Sequence, residues 1–147
     1  MNQPSLSAKE YLSQAFRIDL RIRSKIEQVQ SLRDLAEKAT VTFSDMPGSG
    51  TRNIDRMEDI IAKMVDLESE IKADIDGLLE LKSEIMSVIN LVDGPDSRTI
   101  LELRYLCFKS WEQISVELFY DIRHTHRLHS QALRKVDAIR RKCHEMS

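Results

Sequence analysis

Apolar residues recur along this chain at helical spacing almost from end to end. Tyr11, Ala15, Ile18, Ile22, Val29, Leu32, Ala36 and Ala39 keep alternating steps of three and four, with only Lys25 interrupting the series. That is one face of an α-helix. Ser7 and Glu10 stand three apart at its start, the capping-box spacing in which each side chain satisfies the other residue's backbone N–H. The pattern predicts a helix over 7–40. A second run is more regular. Met57, Met64, Ile71, Leu78, Ile85 and Val92 recur every seven residues, flanked by Ile60, Leu67, Asp74, Leu81 and Val88 on one side and by Ile61, Glu68, Ile75, Lys82 and Ile89 on the other. It predicts a helix over 54–92. Between the two runs, residues 44–53 collect Pro47, Gly48 and Gly50, a cluster that breaks helices, and Asn53 is the expected cap of the second helix. Two long helices across such a loop predict an antiparallel coiled-coil hairpin spanning 1–93.

The apolar stripe of the second helix is wider than one partner helix covers, so a further apolar partner is expected. The simplest is a second copy, giving a homodimer around a four-helix bundle in which Glu68 and Lys82 set register rather than add stability. From Asp55 to Asp93 there are eleven Asp/Glu against four Lys/Arg. Such a surface repels DNA. It is expected to point away from it, as an ordinary solvated face or towards a basic protein surface.

Asp93-Gly94-Pro95-Asp96 closes the hairpin and opens a second domain over 94–147, with Asp96 or Ser97 expected to cap its first helix. That helix, over 98–108, offers Ile100, Leu101, Leu103, Tyr105 and Leu106 as a roof. Ser110 and Gln113 form another capping box, and Trp111, Ile114 and Leu118 share one face of the helix it opens. Asp121 is the expected N-cap of the next helix, whose Thr125, Leu128, Ala132 and Val136 share a face, and Ser115 is small enough to let the two helices cross closely. Two helices around a short turn make a helix-turn-helix. The expected fold is all-α: a long antiparallel coiled-coil hairpin followed by a three-helix helix-turn-helix domain.

Charge changes the picture most at the end of the chain. From Arg123 onward there are seven Lys/Arg against Asp137 and Glu145, in a chain whose net charge is −2. The outward face of the last helix carries Arg123, His124, His126, Arg127, Ser130, Gln131 and Arg134. A helix fits the major groove of B-DNA, and the planar fork of Arg suits guanine edges and phosphates. The competing explanation is a solvated basic face matched to the helix's own dipole.

The stretch LELRYL (101–106), SWEQISVEL (110–118) and HSQALRKV (129–136) resembles region 4 of bacterial sigma factors. The whole chain, through SAKEYL (7–12), SDMPGSG (44–50), AKMVDLESEI (62–71) and SWEQISVEL, resembles the ArpU/RinA-like group of phage and prophage transcriptional regulators. Two positions depart from the pattern: Phe119 stands where such turns usually have Gly, and Thr125 where Val or Ile is usual. The Thr125 hydroxyl then needs a partner, for which a backbone carbonyl one turn back is suited. The resemblance implies a sequence-specific activator of late phage genes. Arg123, His126, Arg127 and Ser130 would read bases, and His124, Gln131, Arg134 and Lys135 would hold the backbone. Ser110 and Trp111 would lie near phosphate at the first helix's N-terminus. The implied partners are double-stranded DNA and RNA polymerase, and the implied location is the cytoplasm of a bacterial host. Two other classes fit the same layout: a small terminase-like DNA-packaging subunit, and a helical protein-interaction module without DNA binding.

Composition narrows the rest. Four Gly, three Pro and 31% charged residues suit a helical chain. No apolar run approaches the roughly 18 residues of a membrane span and no signal peptide precedes Ser7, so a soluble protein without membrane contact is expected. Cys107, in the apolar run LRYLCF, is expected to be a small buried hydrophobe. His124, His126, His129 and His144 are all the histidines. His126 and His129 have a metal-ligand spacing, but no third ligand is evident, and contact with phosphate or base edges is expected instead. No nucleophile-base pair, phosphate loop or carboxylate cluster appears, so neither an enzyme nor a cofactor is expected.

Overall fold

The structure, a computed structural model, describes residues 6–44 and 50–145, without the side chains of 41–44 and 50–53. Five helices account for its regular structure, and no strand occurs among the described residues: α1 (Ala8–Ser44), α2 (Gly50–Ile89), α3 (Pro95–Leu101, continued by a π-helical turn over Glu102–Leu106), α4 (Trp111–Leu118) and α5 (Ile122–Glu145). None is long and apolar enough to cross a membrane.

The helix ends follow their local chemistry, with some shifts. Ser7 caps α1 as expected: the Glu10 N–H donates to Ser7 Oγ at 3.2 Å and the Ser7 N–H donates to Glu10 Oε1 at 3.3 Å. The two bonds to Ser7 hold the Glu10 carboxyl below its ordinary pKa. α1 runs four residues past 40. α2 begins at Gly50, so Asn53 lies inside it, and it ends at Ile89 rather than at 92. Residues 45–49 of the expected loop lie outside the described residues. α3 opens on Pro95 with Gly94 at φ 94° as its N-cap, and neither Asp96 nor Ser97 serves as the cap. Gly94 takes a left-handed conformation that most residues avoid, and Pro at the first helical position loses no bond, because its N–H would be unpaired there.

The helices pack into two compact units, Met1–Arg17 with Leu78–Ser147, and Ile18–Gly77. The boundary expected at 93/94 is therefore not where the packing divides. In the first unit Tyr11, Leu12 and Ala15 of α1 and Ile85 and Ile89 of α2 share one core with Ile100, Leu101, Ile114, Ala132 and Val136. Polar contacts tie the same elements together. The Ala8 N–H at the start of α1 donates to Asp137 Oδ1 of α5 at 3.0 Å. Arg140 donates to the Leu6 carbonyl at 2.6 Å and lies 4.3 Å over the Tyr11 ring. A three-helix domain of about 50 residues is near the lower limit for independent folding, and these added turns enlarge its core.

In the second unit Ile22 and Val29 are buried, and Leu32, Met64, Leu67 and Ile71 are half-buried. Lys25, the one interruption of the α1 series, bonds Asp74 of α2 at 2.6 Å and lies 3.5 Å from Glu70. Asp74 is itself a misfit in its own series, so the two polar interruptions satisfy each other. The hydrogen bond to Asp74 raises the Lys25 pKa. On α2 the inward series is Met57, Met64, Ile71, with Ile60, Leu67 and Asp74; Ile61, Glu68 and Ile75 are exposed. In the first unit Lys82, expected on a seam, donates instead to the Leu106 carbonyl at 3.1 Å and sits 4.8 Å over the Phe108 ring.

Cys107 corrects an expectation. It is exposed, because the π-helical turn ends there and Phe108 takes a left-handed conformation at φ 58°, so the apolar run no longer keeps helical phase.

Candidate nucleic-acid interface

α4 is set by Ser110, whose Oγ accepts from the Gln113 N–H at 3.2 Å while Gln113 Oε1 accepts from the Ser110 N–H at 2.9 Å. The helix stops at Phe119, in left-handed geometry at φ 59° and ψ 37°. There the Tyr120 N–H closes on the Ser115 carbonyl at 3.1 Å. Asp121 then starts α5 by accepting from the His124 N–H at 2.7 Å. α4 packs on α5. Where they meet, buried Ser115 donates to Thr125 Oγ1 at 2.9 Å, and Thr125 Oγ1 donates to the Asp121 carbonyl one turn back at 2.9 Å. Both hydroxyls are satisfied without water.

α5 buries Thr125, His129, Ala132 and Val136. Its opposite side carries Arg123, Arg127, Ser130, Arg134 and Arg141, all exposed. At about 100° per residue these five fall within about 60° of arc, along about 27 Å of helix. Exposed His126 and Gln131 flank the stripe. Comparison of the chain with protein-family models, with curated proteins and with solved structures gave no match.

The remaining expected residues are engaged within the chain. The Lys135 amine donates to the Asp93 carbonyl at 2.7 Å and to Ser97 Oγ at 3.2 Å, which holds the turn before α3 and takes Lys135 out of the free basic stripe. His124 is half-buried, 4.5 Å edge-on to the Tyr120 ring. Trp111 is half-buried and works as a packing residue, with the Arg104 guanidinium 4.5 Å over its ring and the His126 and His129 rings at 4.8 and 4.4 Å. Ser110 is exposed at the α4 N-terminus.

His129 does not face solvent, contrary to the expectation that the histidines reach phosphate or base edges. It is buried, with Nε2 2.6 Å from Tyr105 Oη. Burial, aided by the positive charges of Lys9 and Arg104, lowers its pKa to about 4, and burial pushes Tyr105 up to about 12. Its place was legible: 129 lies four after Thr125 and three before Ala132, in phase with the inward face.

Proposed function

We propose that this protein is a sequence-specific, double-stranded-DNA-binding regulator of the phage type, reading the major groove with α5. The observation that carries the proposal is the exposed stripe of Arg123, Arg127, Ser130 and Arg134 on a helix that follows a tight turn from α4. Arg123, His126, Arg127 and Ser130 lie nearest the α5 N-terminus and would enter the groove. Gln131, Arg134 and Arg141 would hold the phosphates, together with the α4 N-terminus at Ser110. Lys135 and Trp111 support this surface from behind rather than touching DNA.

The region-4 likeness and the ArpU/RinA-like likeness belong to the same proposal, as does an antiparallel coiled-coil pairing of α1 and α2. Ile54, Ile61, Val65 and Ile75 remain exposed on α2, which supports a second copy as the partner of this face. The acidic α2 surface would be kept off DNA by repulsion, leaving it to face a basic protein such as RNA polymerase.

The test is selection of bound sites from random DNA, followed by anisotropy titration at several salt concentrations. Affinity should fall steeply with salt. Arg127→Ala should cost about 1–3 kcal/mol and relax the preference at one base pair, while Arg134→Ala should weaken all sequences alike. Unchanged binding by Arg127→Ala refutes the base-reading role. Absence of salt-dependent binding to any duplex favours a protein-interaction module, and assemblies of eight or more subunits favour a packaging role.

A further inference from the structure

Among the described residues two that bear side chains adopt left-handed backbone geometry, and both are phenylalanines: Phe108 at φ 58° and Phe119 at φ 59°. A bulky side chain there costs about 1–2 kcal/mol. Phe108 regains this by packing. Its ring meets Phe16 edge-on at 5.5 Å and lies under the Lys82 amine. Phe119 regains nothing within the chain, because it is 93% exposed. A glycine at the same position would remove both the strain and the exposed ring.

Phe119 is not isolated. Val116, one turn earlier on the outward face of α4, is 74% exposed, and Ile122, three residues later at the start of α5, is 43% exposed. Together they give an apolar knob at the α4–α5 turn, off the arginine stripe. Its surroundings carry more acid than base: Glu112, Glu117 and Asp121 are exposed and Asp96 accepts from the Tyr120 hydroxyl at 2.7 Å, against Lys109, which is paired with Glu117, and exposed Arg123. An apolar centre with an acidic rim is disfavoured against a phosphate backbone and complementary to a basic protein surface.

We propose that Val116, Phe119 and Ile122 form a docking knob for a partner protein that presents an apolar pocket rimmed with Lys or Arg. The knob does not depend on the DNA-binding proposal, and its occupant is neither DNA nor a second copy of this chain. Phe119 is the anchor, since exposed aromatics that fill a partner's pocket contribute most to such interfaces.

The test compares the full chain with Phe119→Gly, using as probe a synthetic amphipathic helix of Leu and Lys and, as control, the same helix with Glu in place of Lys. In amide NMR spectra the Leu–Lys peptide should shift signals around 116–122 in the wild type, and the Leu–Glu peptide should not. Phe119→Gly should raise the melting temperature, weaken the Leu–Lys peptide at this site by about tenfold or more, and leave duplex-DNA affinity and sedimentation mass unchanged. Shifts confined to the acidic face of α2 overturn the proposal, as does a lowered melting temperature. Weakened DNA binding in Phe119→Gly would assign the ring to DNA, and a changed mass would assign it to self-association; each overturns the proposal.

Discussion

The buried hydroxyl pair between α4 and α5 gives a sharp test of how these two helices are held together. Thr125 is fully buried; it accepts from Ser115 and donates to its own helix's Asp121 carbonyl. Thr125→Val keeps the shape but leaves the Ser115 hydroxyl, itself only 8% exposed, with no acceptor at that position. An orphaned buried donor costs about 1–3 kcal/mol, whereas removing both partners of a pair can be nearly neutral. Ser115→Ala alone leaves the Thr125–Asp121 bond in place and should cost under about 1 kcal/mol. The double variant Ser115→Ala/Thr125→Val should therefore be more stable than Thr125→Val alone. A double-mutant cycle by urea unfolding, read with tryptophan fluorescence because Trp111 packs on the same helix pair, measures the coupling. Strict additivity of the two substitutions, or a Thr125→Val variant more stable than wild type, would refute the reasoning.

Other outcomes follow from the same geometry. Ser110→Ala removes the α4 cap and should cost about 0.5–2 kcal/mol in urea unfolding. Because the folded His129 pKa of about 4 lies below its ordinary 6.5, the unfolded chain binds the proton first as pH falls. Stability is therefore complete above pH 6.5 and is lost between 6.5 and about 4, by up to about 3 kcal/mol at 1.36 kcal/mol per unit. His129→Gln should show a shallower loss over that window in paired urea titrations. Lys25→Met should destabilise the chain by leaving Asp74 unpaired, and adding Asp74→Leu should restore the melting temperature. A fragment of residues 94–147 should lack a cooperative thermal transition, because Tyr11, Leu12, Ile85 and Ile89 no longer cover its core.

Much of the architecture was legible in the sequence, because capping and periodicity are local. Ser7, Ser110 and Asp121 cap where their spacing said, and the alternating series of α1 is its inward face. The breadth of the α2 stripe left two candidate seams. Only a partner decides between them, and here Met57–Met64–Ile71 faces inward while Ile61 and Ile75 do not. The docking of α1 on α5 was not legible, because it depends on Asp137 and Arg140 meeting residues about 130 positions earlier. Yet Ala8, one step before the series, and Leu12, off it, extend and widen the apolar face at the start of α1, and both are buried. For the candidate interface, phase alone separated His129 from Arg127. The same phase sets Lys135, which holds a carbonyl of the turn before α3, about 100° round the helix from Arg134, which faces water.

The clasp of the α1 start by Asp137 and Arg140 also sets an order of events during synthesis. The first helix leaves the ribosome long before its acceptor carboxylate and guanidinium exist, and at about 5–20 residues per second it waits several seconds or more for them. Until then Tyr11 and Leu12 have no final resting place, so the core they share with Ala132 and Val136 closes only once α5 has been made. A nascent chain stalled before Asp137 and Arg140 would carry the first part of α5 without the clasp that holds the start of α1.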